Sequence, residues 1–146
     1  MPVGPLIPIL IGFQLLVDRV NPLTRLSPTL ESGLSALGLT SEGLAGRLLD
    51  YLALLVQWNR AFNLTAIRDP DEMVVKHLLD SLAIAPYVKG RFVDIGTGAG
   101  LPGIPLALND LSLTGSLVET AGKKARFLRE AVRHLGLSGI TVHDCR

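Results

Sequence analysis

A glycine-rich segment that follows a short apolar run constrains the fold of this chain most. Residues 91–95, RFVDI, are typical of a buried strand, and Gly96, Gly98 and Gly100 follow them directly. A strand that enters a helix through a tight turn needs positive φ angles and a close approach of the backbone to a ligand, and glycine allows both. Pro102 then opens the expected helix, where a missing N–H costs little. The segment therefore predicts a strand, a ligand-binding turn and a helix.

The alternation of strand and helix continues after this segment. The further expected elements are a strand over 116–118 that ends at Glu119, a helix over 122–135 and a strand over 140–143. Strand, helix, strand, helix and strand predict a parallel sheet with right-handed crossovers. We therefore expect an α/β fold, in which residues 90–146 form the first half of a Rossmann-like domain.

The residues before the expected sheet carry helical patterns. Leucines recur at three- and four-residue spacing over 44–55, which is typical of a helix with one buried face. Asp69 suits an N-cap and Pro70 the first position of a further helix. We expect a helical N-terminal region over 34–89.

Residues 1–33 are expected to form an extension and a linker. Prolines and glycines interrupt the apolar run over 1–20, and no Lys or Arg precedes Arg19. The uninterrupted apolar stretch is shorter than the ~20 residues of a membrane-spanning helix. We therefore predict neither a signal peptide nor a membrane span, and an interfacial anchor is the alternative. Pro22 and Pro28 predict a linker over 21–33.

The net charge and the cysteine content indicate which partners and which cellular compartment to expect. The formal net charge is +1, so any nucleic-acid contact must come from local clusters of Lys and Arg. The single cysteine, Cys145, excludes an internal disulfide and suits a reducing cytosol. We expect a buried thiol there, a cytoplasmic protein and no metal site.

The glycine segment indicates a nucleoside cofactor. The helix beyond it is expected to offer free N–H groups to an anionic group, either the methionine carboxylate of S-adenosylmethionine or a dinucleotide pyrophosphate. Gly96 directly follows the strand, whereas the dinucleotide pattern G-x-G-x-x-G begins at Gly98, three residues beyond it. Asp94 can reach the ammonium of S-adenosylmethionine, and Glu119 can accept hydrogen bonds from ribose hydroxyls in either class. Methyl transfer is favoured, and a nicotinamide oxidoreductase stays open.

Four ordered motifs resemble one protein family. They are WNRAFNLT over 58–65, KHLLDS over 76–81, VDIGTGAGLPGIPL over 93–106 and ETAGKKARFL over 119–128. From about residue 34 to the end, the chain resembles the bacterial small-subunit ribosomal RNA methyltransferase G family, also called glucose-inhibited division protein B. The resemblance implies methyl transfer from S-adenosylmethionine to N7 of a guanine in the 16S RNA of the small ribosomal subunit.

The resemblance also implies roles for single residues in cofactor binding. Gly96 and Leu101 match positions that contact the cofactor, and Gly98 and Gly100 complete the loop. Glu119 matches the acidic ribose position.

Arg146 matches the arginine of an Arg-x-Glu element, whose following residues help to hold the adenine. The sequence stops before that glutamate and before later motifs and strands of the family. A truncated, non-catalytic remnant or an RNA-contacting fragment is therefore the alternative to an active enzyme.

RNA contact requires locally clustered cations, because phosphates dominate the affinity. Lys123, Lys124 and Arg126 lie together on the expected helix and are predicted to contact RNA, with a merely solvated helix face as the alternative. Trp58 and Phe62 are expected to pack in the core rather than stack on bases.

Methylation at N7 of guanine sets few demands on side-chain chemistry. That nitrogen carries a lone pair and needs no deprotonation, so the reaction requires positioning rather than a general base. We assign no catalytic residue from the sequence and predict no oligomeric state.

Overall fold

Three parallel strands organise the part of the chain that the computed structural model describes, residues 21–145. The strands, in their order across the sheet, are β1 (Arg91–Ile95), β2 (Thr114–Glu119) and β3 (Ile140–Asp144). Both pairings are parallel, which confirms the predicted α/β class. Ile95 lies opposite Val118, and Glu119 lies opposite Asp144, so the carboxyl ends of the strands meet at one edge.

Helices form the region before the sheet and connect its strands. They are α1 (Ser27–Ala36), α2 (Leu44–Phe62), α3 (Pro70–Met73), α4 (Asp80–Leu82), α5 (Gly103–Asn109) and α6 (Gly122–His134). Helix α5 connects β1 to β2 and α6 connects β2 to β3, as the sequence predicts. The remaining helical segments are short 3₁₀ turns over Thr24–Leu26 and Ala85–Tyr87 and a π-helical segment over Val74–Leu79.

The prediction of a linker over 21–33 is wrong, because α1 occupies most of these residues. Pro28 lies in the first turn of the helix, where its missing N–H has no intrahelical partner. Leu30 and Leu34 are buried four residues apart, on the face that packs against the neighbouring helices. The burial of this face outweighs the local turn composition. Residues 1–20 lie outside the described residues.

Helix α2 packs its predicted leucine face into the core. Leu44, Leu48, Leu52 and Leu55 are all buried, which confirms the helical periodicity. Near its carboxyl end, the Trp58 ring lies 5.4 Å from the ring of Phe62 and 5.7 Å from that of Phe127 on α6. The expected packing of Trp58 and Phe62 is therefore confirmed.

The two faces of the sheet have different surroundings. Phe92 and Leu117 face the helices and contribute to the hydrophobic core. On the opposite face Val93 is 63% exposed and Ile95 is 80% exposed, and no described element covers them. The sheet is thus packed on one side only within residues 21–145, as expected for half of a doubly wound sheet.

A buried asparagine shapes the turn that follows α2. The side chain of Asn59 accepts a hydrogen bond from the Thr65 N–H at 2.9 Å and donates one to the Ile67 carbonyl at 3.4 Å. The hydroxyl of Thr65 lies 2.8 Å from Nε2 of His77, on the π-helical segment. Burial lowers the pKa of His77, which favours the neutral ring as the partner of this hydroxyl. Thr65, whose N–H is held by Asn59, therefore links two of the sequence motifs through His77.

We expect Asn59→Ala to lower the free energy of unfolding by about 1–3 kcal/mol, because the Thr65 N–H would lose its acceptor in a partly buried site. Urea unfolding followed by circular dichroism measures this loss. Asn109→Ala is the control, since the Asn109 side chain makes no hydrogen bond within the described residues and should change the value by less than about 0.5 kcal/mol. Equal effects of the two substitutions would contradict the role of Asn59.

Candidate functional site

The glycine loop begins directly after β1 at the carboxyl edge of the sheet. The N–H groups of Gly96 and Thr97 donate to the carbonyl of Val118 at 2.9 and 3.2 Å, so the loop starts while it is still tied to β2. The φ angles of Gly96, Gly98 and Gly100 are +69°, +63° and +95°. The expected positive φ angles are confirmed, and side chains other than glycine rarely adopt them.

The three glycines of the loop serve different purposes. A Cβ atom added at Gly96 or Gly98 would meet no atom within 4 Å. A Cβ atom at Gly100 would overlap the side chain of Ile104 and crowd that of Leu128. Gly96 and Gly98 therefore face open space where a ligand can approach the backbone, and Gly100 is required by core packing.

Asp94 connects the beginning of the loop to its end. Its Oδ2 accepts hydrogen bonds from the Thr97 hydroxyl at 2.6 Å and from the Gly103 N–H at 3.0 Å. Its Oδ1 accepts none within residues 21–145. Burial raises the pKa of Asp94, and the bonds from Thr97 and Gly103 only partly oppose this effect. The carboxylate is thus an incompletely compensated negative charge beside the loop.

Glu119 holds the loop from the neighbouring strand. Its Oε2 accepts a hydrogen bond from the Gly98 N–H at 2.8 Å, and its Oε1 accepts from the N–H groups of Thr120 and Ala121 at 3.1 Å. Burial alone would raise the pKa of Glu119, but these three bonds and the charge of Lys124 hold it below its ordinary value. Glu119 is therefore a charged, structurally engaged side chain.

The expectation of free N–H groups at the start of α5 is wrong. The helix begins at Gly103, whose N–H donates to Asp94, and the Ile104 N–H donates to the Gly100 carbonyl at 2.7 Å. Pro105 has no N–H to offer. The N–H groups at the start of α5 are thus engaged within the chain, and Oδ1 of Asp94 is a polar atom left for a ligand.

The remaining predicted cofactor contact within the described residues is Leu101. It is half-buried, packs against the core, and its N–H donates to the Thr97 carbonyl at 3.1 Å. Arg146, the last predicted contact, lies outside the described residues.

Sequence reasoning missed two residues that shape the loop. Thr97 bonds Asp94, and its place inside the glycine motif could have revealed it. The hydroxyl of Tyr51 donates to the Ala99 carbonyl at 2.7 Å. Tyr51 lies on the buried face of α2, and no sequence signal distinguishes it from the other buried residues there.

Three predicted RNA-binding cations lie at the amino end of α6, directly after the turn that Glu119 caps. Lys123 and Arg126 are exposed and Lys124 is half-buried. The Lys123 ammonium lies 5.8 Å from the centre of the Phe62 ring, a cation–π contact. The first turn of α6 carries no acid, so Lys123 and Lys124 lie where the helix dipole disfavours them.

Other expected properties concern cysteine, metal and membrane. Cys145 is exposed, so the expected buried thiol is wrong, because the residue follows β3 beyond its last pairing with β2. The part of the chain that the structure describes contains no group of three or more His, Cys, Asp or Glu side chains suited to a metal. Across residues 21–145, every helix is too short or too polar to cross a bilayer.

We expect Glu119→Gln to destabilise the fold at pH 7 by about 1–3 kcal/mol, because an amide nitrogen cannot accept the bonds that the carboxylate accepts. The folded pKa lies below the ordinary 4.5, so the contribution is complete above that value and is lost as the pH falls through the folded pKa. Urea unfolding at several pH values should therefore show the two proteins converging in acid. The exposed Glu42→Gln is the control, and a pH-independent difference for Glu119→Gln would refute this assignment.

Comparison with known proteins extends these observations. A family model described as rRNA small subunit methyltransferase G matches residues 45–146. The protein named Ribosomal RNA small subunit methyltransferase G from Stenotrophomonas maltophilia is 60% identical over 119 residues, which cover 81% of this chain and 56% of that protein. The protein of the same name from Xylella fastidiosa is 66% identical over 100 residues, which cover 68% of this chain and 47% of the relative.

A relative with this name from Xanthomonas euvesicatoria pv. vesicatoria is 57% identical over 121 residues, 82% of this chain and 57% of the relative. The chain spans about half the length of the curated relatives it matches. The matched region includes the glycine loop, both of its carboxylates and the cations of α6. The chain therefore belongs to the rRNA small subunit methyltransferase G family.

Proposed function

We propose that the chain binds S-adenosylmethionine at the carboxyl edge of β1 and β2 and takes part in methyl transfer to N7 of a guanine in 16S ribosomal RNA. One observation carries the cofactor part: a glycine loop that faces open space is held between the carboxylates of Asp94 and Glu119. Membership in the family supports the methyl-transfer part. The RNA, its guanine and the N7 position come from the family resemblance.

The residues present fit this cofactor. Gly96 and Gly98 leave space for a ligand against the backbone. The Oδ1 of Asp94, which has no partner within residues 21–145, suits the ammonium of the methionine moiety. Glu119 uses three of the roughly four acceptor sites of a carboxylate, which leaves one for a ribose hydroxyl.

The chemistry places modest demands on the chain. The bound cofactor supplies an electrophilic methyl group on a sulfonium. The chain's residues bind and orient the reactants, because the N7 lone pair needs no base. Asp94 and Glu119 act in this scheme as binding groups, and no described side chain is assigned to proton transfer.

The cations of α6 support contact with RNA. Lys123, Lys124 and Arg126 begin the helix that leads away from the cofactor edge. The position of Lys123 and Lys124 in the first turn, at the positive end of the helix dipole, lowers stability. This favours a role toward an anionic partner over a purely structural one. We place this activity in the cytoplasm, where the small ribosomal subunit is.

A nicotinamide oxidoreductase fits the site less well. Dinucleotide-binding folds place the pyrophosphate at the amino end of the helix after the loop. Here the N–H groups of Gly103 and Ile104 at that end are already engaged.

A second candidate function is that of an RNA-contacting fragment that does not catalyse methyl transfer. The exposed apolar face at Val93 and Ile95 favours it, because a complete doubly wound domain covers both faces of its sheet. Incorporation of labelled methyl into 16S RNA by the chain would exclude this candidate. Cofactor binding without incorporation would favour it.

We expect Gly98→Ala to weaken S-adenosylmethionine binding by about tenfold or more, for which a loss of about 1.4 kcal/mol suffices. Its Cβ atom would enter the open space above the loop. The matched control is Gly136→Ala, since Gly136 has a φ of +65° against +63° for Gly98 and is equally unobstructed. Both substitutions should lower the free energy of unfolding by about 1–2 kcal/mol. Calorimetric titration with S-adenosylmethionine should show weaker binding for Gly98→Ala alone. Equal affinities, or no binding by the unmodified chain, would count against the cofactor site.

We expect Lys123→Gln to weaken binding to 16S ribosomal RNA and to reduce the slope of log K against log salt by about 0.7, the value for one lost phosphate contact on a single strand. Fluorescence anisotropy over a salt series measures both quantities. Arg133→Gln removes the same charge from the same helix, where Arg133 pairs with Glu130, and should leave the slope unchanged. Identical slopes for the two variants would show that α6 attracts RNA only through its total charge.

A further inference from the structure

A buried tyrosine on α2 reaches the glycine loop from outside the sheet. Tyr51 is fully buried, and its hydroxyl donates a 2.7 Å hydrogen bond to the carbonyl of Ala99, 48 residues further along the chain. Ala99 is itself 4% exposed. Because both groups are buried, water is a poor replacement for either partner. Loss of the hydroxyl would leave the Ala99 carbonyl without a hydrogen-bond donor.

The position of this hydroxyl is itself well defined. The ring of Tyr51 lies 6.4 Å from the ring of Phe127 on α6. Leu48 and Leu52 flank it along α2, and both are fully buried. Rings packed in this way keep a single rotamer, so the hydroxyl is a fixed point for the loop.

The Tyr51 bond acts on the part of the loop that contains Gly98 and Gly100. The Ala99 carbonyl belongs to the peptide plane that joins Ala99 to Gly100, so its direction constrains ψ of Ala99 and φ of Gly100. On the other side of Ala99, the N–H of Gly98 is held by Glu119. The two bonds together hold the peptide group before Gly98 and the peptide group after Ala99, in a stretch where glycine permits many conformations.

The donor role of Tyr51 does not depend on pH in the working range. Burial and the nearby charge of Asp94 both raise the pKa of Tyr51 above its ordinary value of 10. The hydroxyl therefore stays protonated and continues to donate at neutral pH.

We propose that Tyr51 is a positioning residue for cofactor binding, which holds the loop in the conformation that leaves Gly96 and Gly98 open to the ligand. The helical region before the sheet thereby sets the affinity of a site on the sheet. A loop released from Tyr51 populates other conformations, and the apparent affinity falls by the fraction that remains competent. The choice of S-adenosylmethionine as the ligand rests on the proposed function.

The test compares Tyr51→Phe with the unmodified chain in two measurements. Amide hydrogen exchange should become at least about tenfold faster at Gly98, Gly100 and Leu101 than in the unmodified chain, with little change in α1. Affinity for S-adenosylmethionine should fall by about 5- to 100-fold, the range expected for a lost buried hydrogen bond.

Two control variants separate positioning from general destabilisation. Leu30→Ala removes a fully buried side chain of α1 and should lower the melting temperature without changing cofactor affinity or relative loop exchange. Tyr87→Phe removes a hydroxyl from a side chain that is 85% exposed and should change nothing.

Unchanged loop exchange in Tyr51→Phe overturns the proposal, whatever the affinity. An affinity loss no greater than that of Leu30→Ala also overturns it. If the unmodified chain binds no S-adenosylmethionine, the proposed function fails, and the exchange measurement still decides whether Tyr51 positions the loop.

Discussion

The glycine loop keeps its shape because two carboxylates accept hydrogen bonds from its N–H groups. Asp94, on the strand before the loop, binds the Gly103 N–H, and Glu119, on the neighbouring strand, binds the Gly98 N–H. Parallel pairing brings the carboxyl ends of these two strands to one edge. The loop therefore depends on the sheet to bring both carboxylates within reach of its N–H groups. The same acids that could recognise a cofactor thus also stabilise the loop itself, a form of preorganisation that lowers the cost of binding.

A single core connects this edge to the helices before it. Buried side chains from Leu30 on α1 to Ile140 on β3 belong to one hydrophobic cluster. Tyr51 and Phe127 lie within that cluster and contact each other across α2 and α6. The division into a helical region over 34–89 and a sheet region over 90–146 stays a prediction, and the two regions share their interior.

The sequence was sufficient for features that depend on local chemistry. Strand β1 and the positive φ angles of the loop follow from an apolar run and from glycines at fixed spacing. The linker prediction failed because burial of Leu30 and Leu34 is a tertiary effect that local composition does not contain. The Tyr51 contact could not be predicted for the same reason, since its partner lies 48 residues away along the chain. The expectation of free N–H groups at the start of α5 was wrong because the carboxylate of Asp94 and the carbonyl of Gly100 accept hydrogen bonds from them.

The half-buried carboxyl of Asp94 has a consequence for the energetics of any cation that binds beside it. Burial raises its pKa, and a neighbouring positive charge would lower it again. Between those two pKa values, binding of the cation expels a proton from the carboxyl, so association and deprotonation become one linked equilibrium. In that range the affinity rises with pH, and the heat of binding includes the heat with which the buffer takes up the released proton.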